Sequence, residues 1–571
     1  MIRRLLSYLD ERSGLSGLWA GARDCPLPGG ASWARTFGMA TLAFLLLEFL
    51  TGVGLSAWYA PTVQDAWASV HFIQFKLSLG WLLRGLHHVG GTALIVLAIV
   101  HLVQALIYGA YQAPRELTWV SGVVFLLLLV VVSHTGYLLP QDLRAYWATQ
   151  VLVGIAGNQP VIGPTGQALI QGGPLVGNAT LTHFYALHVG LMPVALFGML
   201  GAHLWLRSRH AAATPKHLSP ETAAERAQTY APFQLFRDVA MSAAAMGVVA
   251  ALVWRDGGVE LGGPADPAVE FIARPEWYMM PIFELRHWFT GSSEFVATVI
   301  LPGVGTTLLA GLPWLHGVLA RRTARAHSLL VVGTLGGLAS AVALGAVIPL
   351  ADASDPAVLK TNAAADALAA EAHRLAMAGV PLEGPLFLYK NDPLVWGARV
   401  WDKQCKACHT ECKEDPFKGS PCLEGYASRT WLTKFMKDPS AKHFFGNTKI
   451  DSMDAYTGSD EKLAAMVEFL VGESGATVSA PLVESGKAAF DDEGCGSCHT
   501  LDGVGGDDAP DLKGWASPAW LAAFIRTPGA KRFYGDANEM DDFPHEKLSK
   551  EELEAVITYL RAQTDAQAKY P

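Results

Sequence analysis

Seven stretches of this chain are each long and apolar enough to cross about 30 Å of hydrocarbon as a helix. They cover residues 36–57, 82–108, 117–139, 183–206, 237–254, 294–316 and 328–350, the fifth being the shortest. Within a bilayer each backbone N–H and C=O must be satisfied inside its own segment, so runs of this length have to be helices. The sequence up to about residue 350 is therefore expected to be a transmembrane helical bundle, whereas 355–571 reads as ordinary soluble sequence. The first run begins near Phe37, too far in and too long for a cleaved leader, and is expected as a retained span.

Basic residues orient the spans. Arg3, Arg4, Arg12, Arg23 and Arg35 precede the first, Arg207, Arg209, Lys216, Arg226 and Arg237 follow the fourth, and Arg321, Arg322 and Arg325 follow the sixth. Seven spans put all three groups on one side, expected to be cytoplasmic, and the C-terminal region on the other. The net charge of −9 argues against nucleic acid as a partner. Acidic clusters such as Asp491-Asp492-Glu493, Asp507-Asp508 and Asp541-Asp542 are either solvated faces or docking points for a basic carrier protein.

The soluble region holds two C-x-x-C-H motifs, Cys405-Lys-Ala-Cys408-His409 and Cys495-Gly-Ser-Cys498-His499. In such a motif two thiols form thioether bonds to a haem and the adjacent histidine becomes an axial iron ligand. A zinc site or a redox dithiol is the alternative. Covalent haem attachment belongs to the outer face of an energy-converting membrane, which agrees with the side that the basic residues assign to this region. Cys412 and Cys422 are a candidate disulfide in that compartment, and Cys25 is expected as a free thiol.

The region repeats internally. Ser428-Arg-Thr-Trp-Leu-Thr-Lys-Phe and Asp438-Pro-Ser-Ala-Lys-His-Phe-Phe-Gly446 recur as Ser517-Pro-Ala-Trp-Leu-Ala-Ala-Phe and Thr527-Pro-Gly-Ala-Lys-Arg-Phe-Tyr-Gly535, and each copy ends in an amphipathic helix, 460–471 and 549–562. Met453 and Met540 each follow their motif by about 40 residues and are the expected sixth iron ligands, each within its own copy. Met436 has Ile525 at its repeat position, and His443 and His545 are rivals.

In the membrane part, histidines come in pairs. His87 and His101 are 14 residues apart on the second span, within about 40° of one face and about 21 Å along the axis. His188 and His203 are 15 apart on the fourth. The two spans run in the same direction, so His87 is expected to meet His188 near the outer surface and His101 to meet His203 near the inner one. That gives two stacked bis-histidine sites, each suited to a non-covalent haem b. A lone intramembrane histidine is more often merely packed, and His88, His134 and His183 have no such partner. Gly38 and Gly52 on the first span and Gly122 and Gly136 on the third are also 14 apart, so a macrocycle can approach the backbone at the same two depths. Helix packing through small residues is the competing explanation. Arg84 and Arg115 flank the histidine-bearing helix and suit either haem propionates or anchoring at the interface.

With these residues in place the chain resembles cytochrome b of the bc-type quinol-oxidising complexes. The likeness rests on the four histidines, Gly-Trp-Leu-Leu-Arg84, Pro114-Arg115-Glu-Leu-Thr-Trp-Val, Thr135-Gly-Tyr-Leu-Leu-Pro140, Thr182-His-Phe-Tyr-Ala-Leu-His188 and Pro275-Glu276-Trp277-Tyr278. Residues 400–571 resemble tandem class I cytochrome c domains. The 15-residue spacing and the seven spans resemble the chloroplast and cyanobacterial form, although Thr36 stands where that form has a haem-attaching cysteine, so no third c-type haem is expected. Gln141 stands where the family usually has Trp, and Glu48 where an amide is common; Glu48 is open between a proton path and a packing role.

The resemblance implies a fold: all-α, with the seven-span bundle followed by two small helical cytochrome c domains. The expected organisation is 1–230 for the haem-binding part of cytochrome b, 231–350 for its quinol-site part, 351–395 for a linker, and 396–475 and 476–571 for the two cytochrome c domains. The resemblance also implies quinol oxidation at the outer face. Pro275, Glu276, Trp277 and Tyr278 would line the site, with Glu276 as proton acceptor and Tyr278 beside it, and Asp238 would serve an inner quinone site for which His210 and His217 are weaker candidates. The implied cofactors are two haem b and two haem c. The implied partners are quinone, a separate Rieske iron-sulfur subunit, a cytochrome c or terminal oxidase, membrane lipid and a second copy in a dimeric complex. The implied location is a bacterial inner membrane with the cytochrome c domains outside, and proton translocation goes with it. The alternative is a non-bifurcating electron conduit between quinone and an outer redox partner.

Overall fold

The computed structural model describes residues 2–409 except 217, then 420–450, 453–501, 506 and 508–562. It divides into two compact units, Met1–Leu386 and Phe387–Pro571. Both are helical, and among the described residues Pro26–Leu27 and Gln228–Thr229 of the first unit form a two-stranded pairing.

Among the described residues seven helices, all in unit 1, are long and apolar enough to cross a membrane: α1 (Phe37–Ser56), α2 (Gly80–Ile107), α3 (Glu116–Tyr137), α4 (Asn178–Ser208), α5 (Tyr230–Asp256), α6 (Gly291–Ala310) and α7 (Ala326–Asp352). They match the seven expected runs. Helix α1 lies along α2, α3 along α4, and α5 against α1 and α2. At mid-depth Phe44, Leu45, Leu94, Ile95, Leu129 and Leu196 form a buried apolar layer. Leu94 and Ile95 sit midway between His87 and His101, so this layer separates the two histidine levels.

The helices are not uniform. Ala186–Leu191 in α4 and Val296–Ile300 in α6 are π-turns. Each lies just ahead of a proline, Pro193 and Pro302, whose ring and missing N–H displace the regular hydrogen-bond ladder.

The stretch 351–395, expected as a linker, contains a well-formed helix, α8 (Pro356–Ala376). Asp355 caps it by accepting from Ala357 N, and Pro356 starts it with the backbone angle a first turn requires. Val358, Ala365, Ala369, Ala372 and Ala376 are buried along one face. His373 Nε2 donates to the Leu261 carbonyl at 2.7 Å, and its ring stacks on Trp67 and His71. The alanines that make the segment look featureless are what allow this close approach.

The described residues of unit 2 form six main helices: α9 (Pro393–Gln404), α10 (Arg429–Lys437), α11 (Asp460–Glu473), α12 (Ala480–Asp492), α13 (Pro518–Arg526) and α14 (Lys550–Arg561). The repeat is reproduced in detail. Ser428 and Ser517 cap α10 and α13 by accepting from Trp431 N and Trp520 N, and Ser459 and Ser549 cap α11 and α14. Each cap is preceded by the same turn, with Gly425 and Ala427 in one copy and Gly514 and Ala516 in the other all at positive φ.

The packing differs from two successive domains. Helix α9 of the first copy packs on α14 of the second, and α12 of the second packs on α11 of the first. Glycine makes both crossings possible. A methyl group at Gly397 would strike the Ala555 carbonyl and Tyr559, and one at Gly486 would strike the Ala465 carbonyl and Phe469. A single core runs through both copies, including Trp431, Phe444, Trp520 and Phe533.

Candidate functional site

His87 and His188 face each other with ring centroids 6.0 Å apart and planes at 90°. His101 and His203 lie within electrostatic reach of each other at the second level. The extra residue in the 15-residue spacing of α4 falls in the π-turn that carries His188. A π-turn absorbs one residue, so His188 and His203 return to one face as though they were 14 apart.

The four glycines each stand against one of these imidazoles. A methyl at Gly38 would lie 3.0 Å from His101 Cε1, at Gly52 3.1 Å from His87 Cε1, at Gly122 3.4 Å from His203 Cε1, and at Gly136 2.6 Å from His188 Cε1. The 14-residue period thus matches glycine to histidine depth on both flanking helices.

Residues next to the glycines engage the Nδ1 atoms of three of these rings. Thr51 Oγ1 lies 3.1 Å from His87 Nδ1, Ser121 Oγ 2.9 Å from His203 Nδ1, and Thr135 Oγ1 3.3 Å from His188 Nδ1, which also reaches the Val132 carbonyl at 2.9 Å. Three of the four glycines therefore follow a hydroxyl residue, in Thr51-Gly52, Ser121-Gly122 and Thr135-Gly136. The exception is Phe37-Gly38, and the histidine it faces, His101, has a buried Nδ1 with no hydrogen-bond partner among the described residues. Sequence reasoning missed these hydroxyls, although the hydroxyl-glycine pairs were visible. Glu48 Oε2 also lies 3.1 Å from His87 Nδ1, over Gly90 and Gly91, so its place is beside a candidate ligand.

A haem b fits these residues. Each level presents two imidazoles from two helices, most of them oriented through Nδ1, and flanking glycines, at three of which a Cβ would crowd the ring. Arg84 is buried and donates to Gln74 Oε1 at 3.0 Å and to the carbonyls of Val259 at 2.7 Å and Glu260 at 3.0 Å. It ties α2 to the loop after α5. Arg115 donates to the Ala211 carbonyl at 3.2 Å. His183 stands against Gly172, and His134 Nδ1 is buried without a hydrogen-bond partner among the described residues. Thr36 is buried, its hydroxyl donating to the Trp33 carbonyl at 2.7 Å.

Between α5 and α6, Pro275-Glu276-Trp277-Tyr278 forms a turn, with Met279 N donating to the Glu276 carbonyl at 2.8 Å. Trp277 and Tyr278 pack edge to face, and the Tyr278 hydroxyl is buried without a partner among the described residues. Burial pushes the Glu276 carboxyl above its ordinary value. Asp238, near the start of α5, is buried and accepts from Tyr230 Oη and Gln234 Nε2, each at 2.8 Å. His217 lies outside the described residues.

In unit 2 both motifs open onto one cavity of about 980 Å³, which Met453 and Met540 also line. Cys405, Cys408, Cys495 and Cys498 are all unpaired thiols. His409 Nδ1 donates to the Pro421 carbonyl and His499 Nδ1 to the Pro510 carbonyl, each at 2.8 Å. Both imidazoles are thus oriented through Nδ1, and burial pushes both below the ordinary histidine value. Covalent haem fits: two free thiols, an adjacent oriented imidazole and a largely apolar cavity occur twice. Met436 is in the buried core, while His443 packs on Phe444. Tyr426 and Tyr534, which sequence reasoning did not single out, also line the cavity at its aromatic wall. Cys422 is disulfide-bonded; its expected partner, Cys412, lies outside the described residues. Cys25 is a free thiol.

Residues 23–210 match the cytochrome b/b6/petB family model and residues 483–564 the cytochrome c family model. Among relatives, a menaquinol:cytochrome c reductase cytochrome b subunit of Geobacillus thermodenitrificans is 34% identical over 223 residues, spanning 38% of this chain and all of the relative. Cytochrome b of Rhodobacter capsulatus is 30% identical over 305 residues, 51% of this chain and 69% of that one. Cytochrome b6 of a Synechococcus strain is 36% identical over 190 residues, 33% of this chain and 88% of that one. A solved chain described as hyperthermophilic respiratory Complex III superposes with a TM-score of 0.51 at 22% identity, covering 67% of this chain and 99% of that one, a likeness of fold.

Proposed function

This chain belongs to the cytochrome b family, and on that premise we propose that it is the quinol-oxidising subunit of a quinol:cytochrome c oxidoreductase with its own electron-exit module fused on. The observation that carries the reading is the turn at 275–278. It combines a carboxyl raised by burial with a buried phenol, Tyr278, that has no hydrogen-bond partner among the described residues, at one end of a bundle that holds two levels of paired imidazoles. A carboxylate whose pKa approaches working pH is suited to accept a proton from a quinol.

Glu276 would take the proton and Tyr278 would orient the quinol oxygen. His87 with His188 and His101 with His203 would hold two haem b, while Cys405/Cys408/His409 and Cys495/Cys498/His499 would hold two haem c. When bound, these groups supply one-electron iron couples. The two histidine levels, on helices of the same direction, would carry one electron inward across the bilayer. There Asp238, hydrogen-bonded to Tyr230 and Gln234, would deliver a proton to a quinone. The other electron would leave through an iron-sulfur partner to the C-terminal unit, and thence to a cytochrome c or terminal oxidase. The seven cysteines of this sequence fall in the two motifs, at Cys412 and Cys422, or at Cys25, which supports a Rieske cluster carried by a separate subunit. Taking up protons inside and releasing them outside would make the reaction proton-translocating. Location in a bacterial inner membrane, unit 2 outside and a dimeric complex complete the proposal.

Purification of the intact complex tests it. The expected result is equal b and c haem, a co-purifying iron-sulfur subunit, and quinol-driven reduction of an external acceptor. Quinol turnover without any iron-sulfur subunit would instead favour the simple electron conduit.

A further inference from the structure

We propose that the two c-type sites are exchanged between the sequence repeats: the group attached at Cys405 and Cys408 takes its sixth ligand from Met540, and the group attached at Cys495 and Cys498 takes its sixth ligand from Met453. This rests on the reading of both motifs as haem c sites and deepens it, because it changes which residues make up each site.

The argument starts from helix partners. Helix α9 runs directly into the first motif, and its end fixes where Cys405 lies. It packs on α14, the helix that follows Met540, and not on α11, the helix that follows Met453. Helix α12 runs into the second motif and packs on α11. Both crossings are close enough to require glycine, Gly397 against Ala555 and Tyr559, and Gly486 against Ala465 and Phe469. Neither is therefore a loose contact between finished domains.

Contacts beside the motifs follow the same exchange. Gln404, adjacent to Cys405, reaches the Lys547 carbonyl, seven residues beyond Met540. Trp401 lies between His409 and Tyr559, with ring centroids 5.9 Å and 6.2 Å away. On the other side Glu493, two residues before Cys495, pairs with Lys462 of α11 at 2.5 Å. Tyr456, three residues after Met453, is within electrostatic reach of Cys495 and Glu493. The chain crosses over between the motifs and the caps of α10 and α13. At that point the repeat-equivalent Tyr426 and Trp515 touch, at 5.6 Å between centroids. Each copy keeps its own motif-to-proline hydrogen bond, His409 to Pro421 and His499 to Pro510, so the exchanged piece runs from the incoming helix through that proline.

One consequence is that neither copy can form a complete site alone, which accounts for a single shared core and cavity.

The test uses the full chain in its complex. With Cys495→Ser and Cys498→Ser, only the first motif carries haem. In that background Met540→Ala should abolish the long-wavelength methionine-to-iron absorption band, and Met453→Ala should leave it. With Cys405→Ser and Cys408→Ser the two methionines should reverse roles. Loss of the band with the methionine of the same copy overturns the exchange. A chain carrying no covalent haem at either motif would instead overturn the underlying haem c reading. Because single-haem chains can fail to assemble, a second measurement keeps both motifs intact. In Gln404→Cys with Lys547→Cys, peptide mapping after a short thiol cross-linker should recover a 404–547 link, and in Gln404→Cys with Thr457→Cys, the repeat equivalent of Lys547, no 404–457 link. Recovery of the 404–457 link, or absence of the 404–547 link, overturns the proposal.

Discussion

In the membrane bundle the two candidate sites lie 14 residues apart on α2, each held by imidazoles from two helices and separated by the buried layer around Leu94 and Ile95. In the C-terminal unit the two motifs open onto one cavity, and the helices that enter them are traded between repeats. Both regions present two sites built from repeated sequence spacing, but the spacing means different things. Along a continuous spanning helix, separation in sequence is separation in space, about 1.5 Å per residue, so the period of histidine and glycine dictates two isolated levels. In a soluble unit with turns, two copies of one helix pattern offer two equally apolar partner faces. Sequence order does not choose between them.

The largest test of this contrast is His101→Ala. It should remove the inner b haem and halve the b content while the c content stays unchanged, as read by pyridine haemochromogen spectra. Retention of both b haems would break the idea of two independent levels.

Next comes Glu276→Gln, which keeps size and polarity but cannot accept a proton. It should slow quinol oxidation by roughly a hundredfold, with all haems still reducible by dithionite. The pH dependence has a definite sign. Burial raises the Glu276 pKa above 4.5, and the accepting carboxylate forms only above that raised value. The native rate should therefore climb with pH through it, and this limb should vanish in the variant.

Asp238→Asn should have a smaller effect on the first turnover. Electron delivery to the C-terminal unit should persist, while the inner b centre accumulates reduced in stopped-flow traces. Equal first-turnover losses for Glu276→Gln and Asp238→Asn would erase the distinction between two faces.

The finest test is graded. Gly136→Ala puts a methyl 2.6 Å from His188 Cε1, whereas Gly122→Ala leaves 3.4 Å to His203. Overpacking of the first kind costs about 1–3 kcal/mol, so Gly136→Ala should weaken haem b retention far more than Gly122→Ala in a titration of b content. Equal losses would mean that the glycines serve helix packing alone.

The sequence by itself determined the seven helices, because a bilayer leaves the backbone no other way to satisfy its polar groups. It determined the pairing of His87 with His188 and His101 with His203 as expectations, because helix periodicity converts residue number into depth and face. The two C-x-x-C-H motifs and the repeat were likewise local patterns, legible without tertiary context. Other features were decided only by the tertiary structure. The π-turn at Ala186–Leu191 reconciles a 15-residue spacing with a 14-residue one, and it depends on how Pro193 is accommodated in α4. The hydroxyls of Thr51, Ser121 and Thr135 find their histidines only when four helices are assembled. The helix at Pro356–Ala376, hidden in composition that suits a linker, owes its order to a buried alanine face against the loop at 257–265. The partner of each motif-bearing helix was beyond the sequence altogether. Gly397 and Gly486 permit a close crossing with either C-terminal helix, and only the packed structure selects between two faces that the repeat makes nearly identical.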